Sequence, residues 1–337
     1  MKSLVRFRTL VVFVSGFLLA IIAGFRGGND PDYLNYYDIY LSSQHGDLFT
    51  LNVEPFYFYI NKLFNLAGVP FVFLMLLIAV PAVLVKMYVI YKHSHFAVLS
   101  IIIYVLTIYI SFELIAIRQG IAIALIMLAT SFWFDKRFLA IALVLIGSLF
   151  HISALIILPA FYLMSSRWNR QIIICSFFAI IFTVFFGAKI DIVYFIKLIP
   201  LIPEFVIYKL DVYSSYKQSS ANSVKQIFIC VVAFSIYLTG SENYFIRSVC
   251  FLYVIGFLLS IIFSAVGDIA FRIKWYFFWG EVFFVPYTLF TFLRMSKNKK
   301  SKPLKIMLFG LLVLVLYLYP AINFINDISN RGNSLIL

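Results

Sequence analysis

Ten apolar runs of 16 to 27 residues follow one another between residues 9 and 322. They lie near 9–25, 69–91, 96–112, 116–134, 138–164, 171–188, 225–240, 245–263, 275–293 and 306–322. A helix needs about 20 apolar residues to cross the hydrocarbon of a bilayer. In that medium every backbone N–H and C=O must be satisfied internally, which leaves helices or a closed barrel. The ten-residue alternation of barrel strands is absent from the sequence. The spacing therefore predicts an all-α polytopic membrane protein, a bundle of about 9–11 transmembrane helices forming a single transmembrane domain over 1–337. Composition agrees: 64% of residues are hydrophobic and 12% charged, where a soluble domain carries about 25% charge. The N-terminus, "MKSLVRFRTLVVFVSGFLLAIIAGF", resembles a secretory signal. It lacks an A-x-A cleavage site, and so reads as a retained first span.

The formal charge of +13 raises the question of nucleic acid, and its placement answers it. With "MKSLVRFR" in the cytoplasm, residues 26–68 face out, "KHSH" faces in, "FELIAIR" out and "DKR" in. The 27-residue run 138–164 is either one tilted helix or a re-entrant or bent pair broken near "FHIS". The bend returns "RWNR" to the cytoplasm, as the positive-inside rule favours. Loops 189–224 and 264–274 then face out, and the basic loop 294–305 faces in. Counted this way, the cytoplasmic side carries +14 and the outer side −1. The basic excess is a topology signal, and no nucleic-acid partner is expected. The three cysteines, Cys175, Cys230 and Cys250, lie inside apolar runs without metal-ligand spacing and read as small buried hydrophobes.

Against this background the informative residues are charges beside spans on the outer side. Arg118, in "IAIRQGIAIALIM", heads an almost wholly apolar helix. A cation there opposes the positive end of the helix macrodipole, unless guanidinium and backbone N–H groups share a bound anion. The alternative is a salt bridge to Glu113, five residues earlier. Gln119 adds a neutral donor at the same lip. Arg26 stands in "FRGGNDPDYLNYY", where flexible glycines, the carboxylates Asp30 and Asp32, and Tyr33 could hold a carbohydrate diphosphate. Alternatively, Arg26 is an interfacial anchor. In "GDIAFRIKWYFFWGE", Asp268, Arg272 and Tyr276 share one helical face at a spacing of four. Trp275 and Trp279 beside them suit either an interfacial aromatic belt or a sugar-stacking platform.

His151, in "IGSLFHISALIILP", is an ionisable group within an apolar run. Such groups are functional by default, although a lone histidine can equally be hydrogen-bonded structure, with Ser148 and Ser153 near. His93 and His95, in "KHSH", read as cytoplasmic loop residues. The sequence has no HExxH or paired Cys/His motif, and Asp30 and Asp32 in "NDPD" are a single weak carboxylate pair, so no metal site and no cofactor is expected. A P-loop, a G-x-S-x-G elbow and a dinucleotide fingerprint are also absent.

Taken in order, these residues resemble the EpsG-like branch of the Wzy-type polysaccharide polymerases. The resemblance rests on Arg26-Gly27…Asp30…Tyr33, Ile117-Arg118-Gln119…Ala122, Phe150-His151…Ser153-Ala154-Leu155-Ile156 and Arg272-Ile273…Tyr276. The two central motifs are the more specific, and the final 15 residues match nothing in the pattern. The resemblance implies an integral-membrane glycosyltransferase (GT-C-like) fold in the bacterial inner membrane, with its active site toward the periplasm. It implies transfer of a growing glycan from undecaprenyl diphosphate to the non-reducing end of a lipid-linked repeat unit, inverting and metal-independent. Partners implied are that lipid-linked oligosaccharide, a chain-length regulator (co-polymerase), a flippase and membrane lipid.

On this reading the catalytic set is His151, Arg118 and Arg272. Arg26, Asp30, Asp32, Tyr33, Glu113, Gln119, Asp268, Trp275 and Tyr276 bind substrate. The arginines would neutralise the diphosphate leaving group. His151, with a suitable intrinsic pKa, would act as base, with Asp30, Asp32, Glu113 or Asp268 as rivals. Three other readings compete. A flippase would line a path through the bilayer with its charges and show repeated spans. A membrane O-acyltransferase would turn its key groups inward. An O-antigen ligase is the nearest in chemistry.

Overall fold

The computed structural model describes residues 2–28, 32–51, 53–186, 194, 197, 224–241, 243–264, 266–295 and 301–334. No strand occurs among them. Each apolar run of the sequence carries a helix. The chain is an all-α membrane protein, and its contacts divide it into two compact units: Met1–Leu155 with Val285–Leu337, and Ile156–Phe284.

In the first unit, helix α1 (Lys2–Gly24) runs along α5 (Phe71–His93), which packs on α7 (Ile117–Phe132), which packs on α8 (Arg137–Ser148). Small residues permit these close approaches, as is usual where lipid supplies no hydrophobic drive. A Cβ on Gly24 would stand 2.3 Å from the Leu76 side chain. Between α5 and α7 the helix α6 (Ala97–Tyr104) passes into a nine-residue π-helix, Val105–Glu113. Its wider turn is continued by Leu114 N–H to the Tyr109 carbonyl (3.2 Å) and Ala116 N–H to that of Ser111 (3.1 Å).

Residues 26–68, expected as an outer loop, form three helices instead: α2 (Tyr33–Ser42), α3 (Leu48–Leu51) and α4 (Pro55–Leu66). Pro55 sits at the first position of α4, where its missing N–H costs nothing. Tyr36, Ile39, Tyr40, Tyr57 and Phe58 bury their rings and methyls against Phe71, Leu74, Met75 and Ile78 of α5 and Ile117 and Ile121 of α7. An aromatic-rich segment with a core to join does not remain a loop.

The expected break at "FHIS" is present. Helix α8 ends at Ser148, and the N–H groups of Phe150 and His151 both reach the Gly147 carbonyl (3.1 and 3.0 Å). A 3₁₀ turn, Ile152–Ile156, then leads into α9 (Ile157–Ser165). Pro159, which has no N–H to give a preceding turn, is accommodated in the first turn of α9, where none is needed.

The second unit holds α9 and α10 (Asn169–Phe186), α11 (Val224–Thr239), α12 (Tyr244–Ile262) and α13 (Gly267–Phe278). Asn243 caps α12, its side-chain oxygen accepting from Phe245 N–H at 3.0 Å. Helix α12 is the buried centre, and α13 bends by 43° into α14 (Glu281–Met295). The outer loop expected at 264–274 is thus mostly helix, and most of loop 189–224 lies outside the described residues. The last helix, α15 (Lys302–Ser334), runs well past the apolar stretch that ends at 322 and packs on α6 and the π-helix in the first unit.

Among the described residues, five helices are long and apolar enough to cross a bilayer, six with the bent pair. Five shorter apolar stretches, including Ala97–Glu113 and Ile117–Phe132, account for the remaining runs.

Candidate functional site

The site is founded on a buried ion pair. Lys86 (0% exposed) and Glu113 (1% exposed) are in direct contact, and Lys86 Nζ also donates to the Gly120 carbonyl at 2.7 Å. Tyr104 Oη donates to the same carboxylate at 3.3 Å. Gly120 allows this approach, because a Cβ there would lie 2.4 Å from the Phe112 carbonyl oxygen. The contact has a topological consequence. Lys86 is fifteen residues from the start of α5, about 22 Å along its axis. The turn after Glu113 is therefore set down beside the C-terminal half of α5, well away from the end of that helix that follows residues 26–68. The tighter rise of the π-helix and the 16 residues of α7, about 24 Å, fit a turn that stops short of the surface.

Arg118 heads α7, in the turn that this ion pair anchors. Its acidic partner is Glu54, at the N-cap of α4, with Nη1 2.5 Å from Oε2. The salt bridge to Glu113 weighed from sequence does not form, because Lys86 takes that carboxylate. The Arg118 guanidinium lies 5.7 Å from the Tyr36 ring centre and 5.4 Å from that of Tyr57. Its Nε is buried without a hydrogen-bond partner. Such an orphaned donor is uncommon in a native structure and calls for a partner such as water or an ion.

Arg26 arrives from the end of α1. It donates to the Glu113 carbonyl at 2.9 Å, and its guanidinium lies 5.9 Å from the same Tyr36 ring. Two guanidinium groups, 92 positions apart in sequence, thus flank one aromatic ring. Burial, and after it the charge of Asp32, push the Tyr36 hydroxyl up to about 12. Burial raises Tyr57 further above the ordinary phenol range. Both stay protonated near neutrality, so the cluster combines hydroxyls with guanidinium groups.

Other expected residues surround this centre. Asp32 caps α2. Tyr33 packs edge-on against Phe71 with ring centres 5.4 Å apart. Gln119 is buried beside Arg118, and Asp30 lies outside the described residues. His151 is 8% exposed at the break between α8 and the 3₁₀ turn. Its neighbour Phe150 packs on Phe56 at 4.8 Å and belongs to the apolar cluster of Tyr36, Tyr57 and Ile117. The break thus borders the segment that supplies Glu54.

Arg272 belongs to the second unit, on α13, where its side chain is exposed. Tyr276 and Trp279 are fully buried, and Trp279 Nε1 donates to the Tyr276 carbonyl at 2.9 Å. The shared face of Arg272 and Tyr276 is therefore not presented as one surface, and Trp279 serves neither as interfacial belt nor as sugar platform. Trp275 is half-buried with Lys274 5.8 Å from its ring. The Asp268 side chain lies outside the described residues. Deeper in this unit Glu281 accepts from Tyr253 Oη at 2.9 Å, with Lys225 Nζ at 3.7 Å.

Sequence reasoning missed Lys86, Glu54, Tyr36 and Tyr57. Lys86 was visible as a cation inside "AVLVKMYVIY", which by the cost of an intramembrane charge deserved a named partner. Glu54 and the two tyrosines gave no such signal, because their role depends on how residues 33–66 fold over α5 and α7.

No curated protein matches the chain, and no solved structure does. The EpsG family pattern matches residues 9–335, almost end to end and across both units. That span takes in all four segments in which the arginines and His151 were recognised. This multi-pass membrane protein belongs to the EpsG family.

Proposed function

We propose that the protein is a polysaccharide polymerase. It transfers a growing glycan from undecaprenyl diphosphate to the non-reducing end of a lipid-linked repeat unit, at the outer face of the inner membrane. The observation that carries this reading is the convergence of Arg26 and Arg118 on Tyr36, with the orphaned Arg118 Nε between buried walls. The acceptor hydroxyl attacks the anomeric carbon, the bond from that carbon to the diphosphate oxygen breaks, and undecaprenyl diphosphate leaves with the electron pair. A single displacement of this kind inverts the anomeric centre. Negative charge grows on the diphosphate, and preorganised guanidinium groups stabilise it without reorganising at the moment of reaction. Arg118 and Arg26 fill that role, making the reaction independent of a metal ion. Lys86 holds the first turn of α7, from which Arg118 projects, and its partner Glu113 supplies the carbonyl to which Arg26 donates.

The acceptor proton goes to a base, for which His151, next to the Phe150 that packs on Phe56, is the candidate. Arg272, on α13 in the second unit, keeps the catalytic role that the family resemblance implies, and Asp268 and Trp275 keep their substrate-binding roles. A flippase delivering the repeat unit and a chain-length regulator are the expected partners.

Two measurements test the proposal. A deletion strain should carry surface lipid bearing a single repeat unit; complete absence of attached glycan would assign the protein to ligation. With purified lipid-linked substrate, Arg118→Lys should lower the rate about 30- to 1000-fold, because a point charge does not reproduce the bidentate fork. Near-normal polymer from Arg118→Lys at matched protein level would return Arg118 to a structural role.

A further inference from the structure

A groove of about 680 Å³ opens beside Arg26 in the first unit. Its walls are Ile21 and Ile22 of α1, Ile110 of the π-helix, Leu114 and Ile115 of the turn, and Ile325 of α15. Arg26 and Gly27 also line it, and the rest of the lining is aliphatic or aromatic. The same guanidinium reaches the Tyr36 ring and the Glu113 carbonyl. The cluster of Arg118, Tyr36 and Arg26 and the apolar groove are thus joined through one residue.

The geometry points to this groove as the seat of the first isoprene units of the polyprenyl diphosphate. This rests on the reading of the protein as a polymerase using such a carrier. An apolar groove in a membrane protein attracts any hydrocarbon, and the charge at its head selects among them. A diphosphate shared by Arg118 and Arg26 presents two phosphoryl groups to two forks, and its chain then leaves past Arg26 into the groove. A phospholipid offers one phosphate, carries two acyl chains, and has no anion to extend to Arg118. Pockets of about 300–1,000 Å³ enclose drug-sized ligands. This volume suits several isoprene units and leaves the remainder of the chain in the bilayer. The groove also accounts for the length of α15: its C-terminal part, beyond the apolar run, supplies Ile325 and Ile328 as a wall.

The test uses the full-length protein in nanodiscs and undecaprenyl diphosphate carrying a diazirine in its first isoprene units. Labelling should map to α1, the π-helix and the C-terminal part of α15. Tenfold excess unlabelled undecaprenyl diphosphate should compete, and phosphatidylglycerol at the same level should not. Ile22→Trp and Ile325→Trp fill the groove from positions 55% and 47% exposed, so a larger ring fits there without repacking the core. Each should cut labelling at least fivefold and raise the KM for the lipid-linked donor. Phe138→Trp, at an 89% exposed position on α8, should do neither. Equal competition by phosphatidylglycerol, or label mapping elsewhere, would overturn the assignment even if polymer is made normally. Specific labelling in a protein that makes no polymer would uphold the groove and defeat the polymerase reading instead.

Discussion

Lys86→Met is the perturbation that probes the foundation of the site most directly. Lys86 and Glu113 are 0% and 1% exposed, and each has a further partner, the Gly120 carbonyl for one and Tyr104 Oη for the other. Removing one member of a buried pair leaves the other charge without compensation, a loss of about 3–5 kcal/mol. Replacing both with neutral groups removes that term and leaves the lost hydrogen bonds, about 1 kcal/mol each. The double variant Lys86→Met/Glu113→Gln should therefore be more stable than Lys86→Met alone, by about 1–3 kcal/mol. Unfolding in mixed micelles, followed by tryptophan fluorescence at increasing SDS, compares wild type, Lys86→Met, Glu113→Gln and the double variant. Because Arg26 bonds the Glu113 carbonyl and Lys86 holds the first turn of α7, Lys86→Met should also raise the donor KM. Strictly additive losses in the double variant would refute the coupling. So would a Lys86→Met protein as stable and active as the wild type.

Glu54→Gln removes the anion that occupies Arg118 (2.5 Å), so the donor KM should fall severalfold. Stability should drop by about 1–2 kcal/mol, discounted for the partial exposure of the pair. A hundredfold fall in kcat without that change in KM would place Glu54, and not His151, in proton transfer. If His151 is the base, His151→Gln should accumulate normally and make no polymer, and wild-type polymerisation across pH 5–8 should fall on the acid side. A fully active His151→Gln enzyme with an unchanged profile would rule this out. Burial first, and then the charge of Arg8, lower His95, whose ring packs on Tyr287 and Phe290 at 5.0 and 4.5 Å. The unfolded chain then binds the proton more readily, so stability should fall as pH drops below about 6.5. His95→Phe should flatten the acid limb of the unfolding curve, and an unaltered limb would show that His95 does not control it.

The apolar runs alone determined the membrane class and the helix order, because the bilayer removes every alternative for the backbone. The break at Phe150-His151 was legible too, from a run too long for one span and a positive-inside conflict. Arg118 could be recognised as requiring an anion because helix polarity is a local property. Its counter-ion could not be read in the same way. Glu113 is five residues from Arg118 and Glu54 is sixty-four, and sequence distance favoured the wrong carboxylate. Only tertiary packing gave Glu113 to Lys86 and folded residues 33–66 into helices that bring Glu54, Tyr36 and Tyr57 over the head of α7. It also lowered the Arg118 turn into the bundle, through a π-helix that no hydropathy pattern reveals. Membership of a span follows from each segment's own transfer free energy. The neighbours of a charge inside the bundle depend on helix depth and rotation, which are set jointly by every surface in contact.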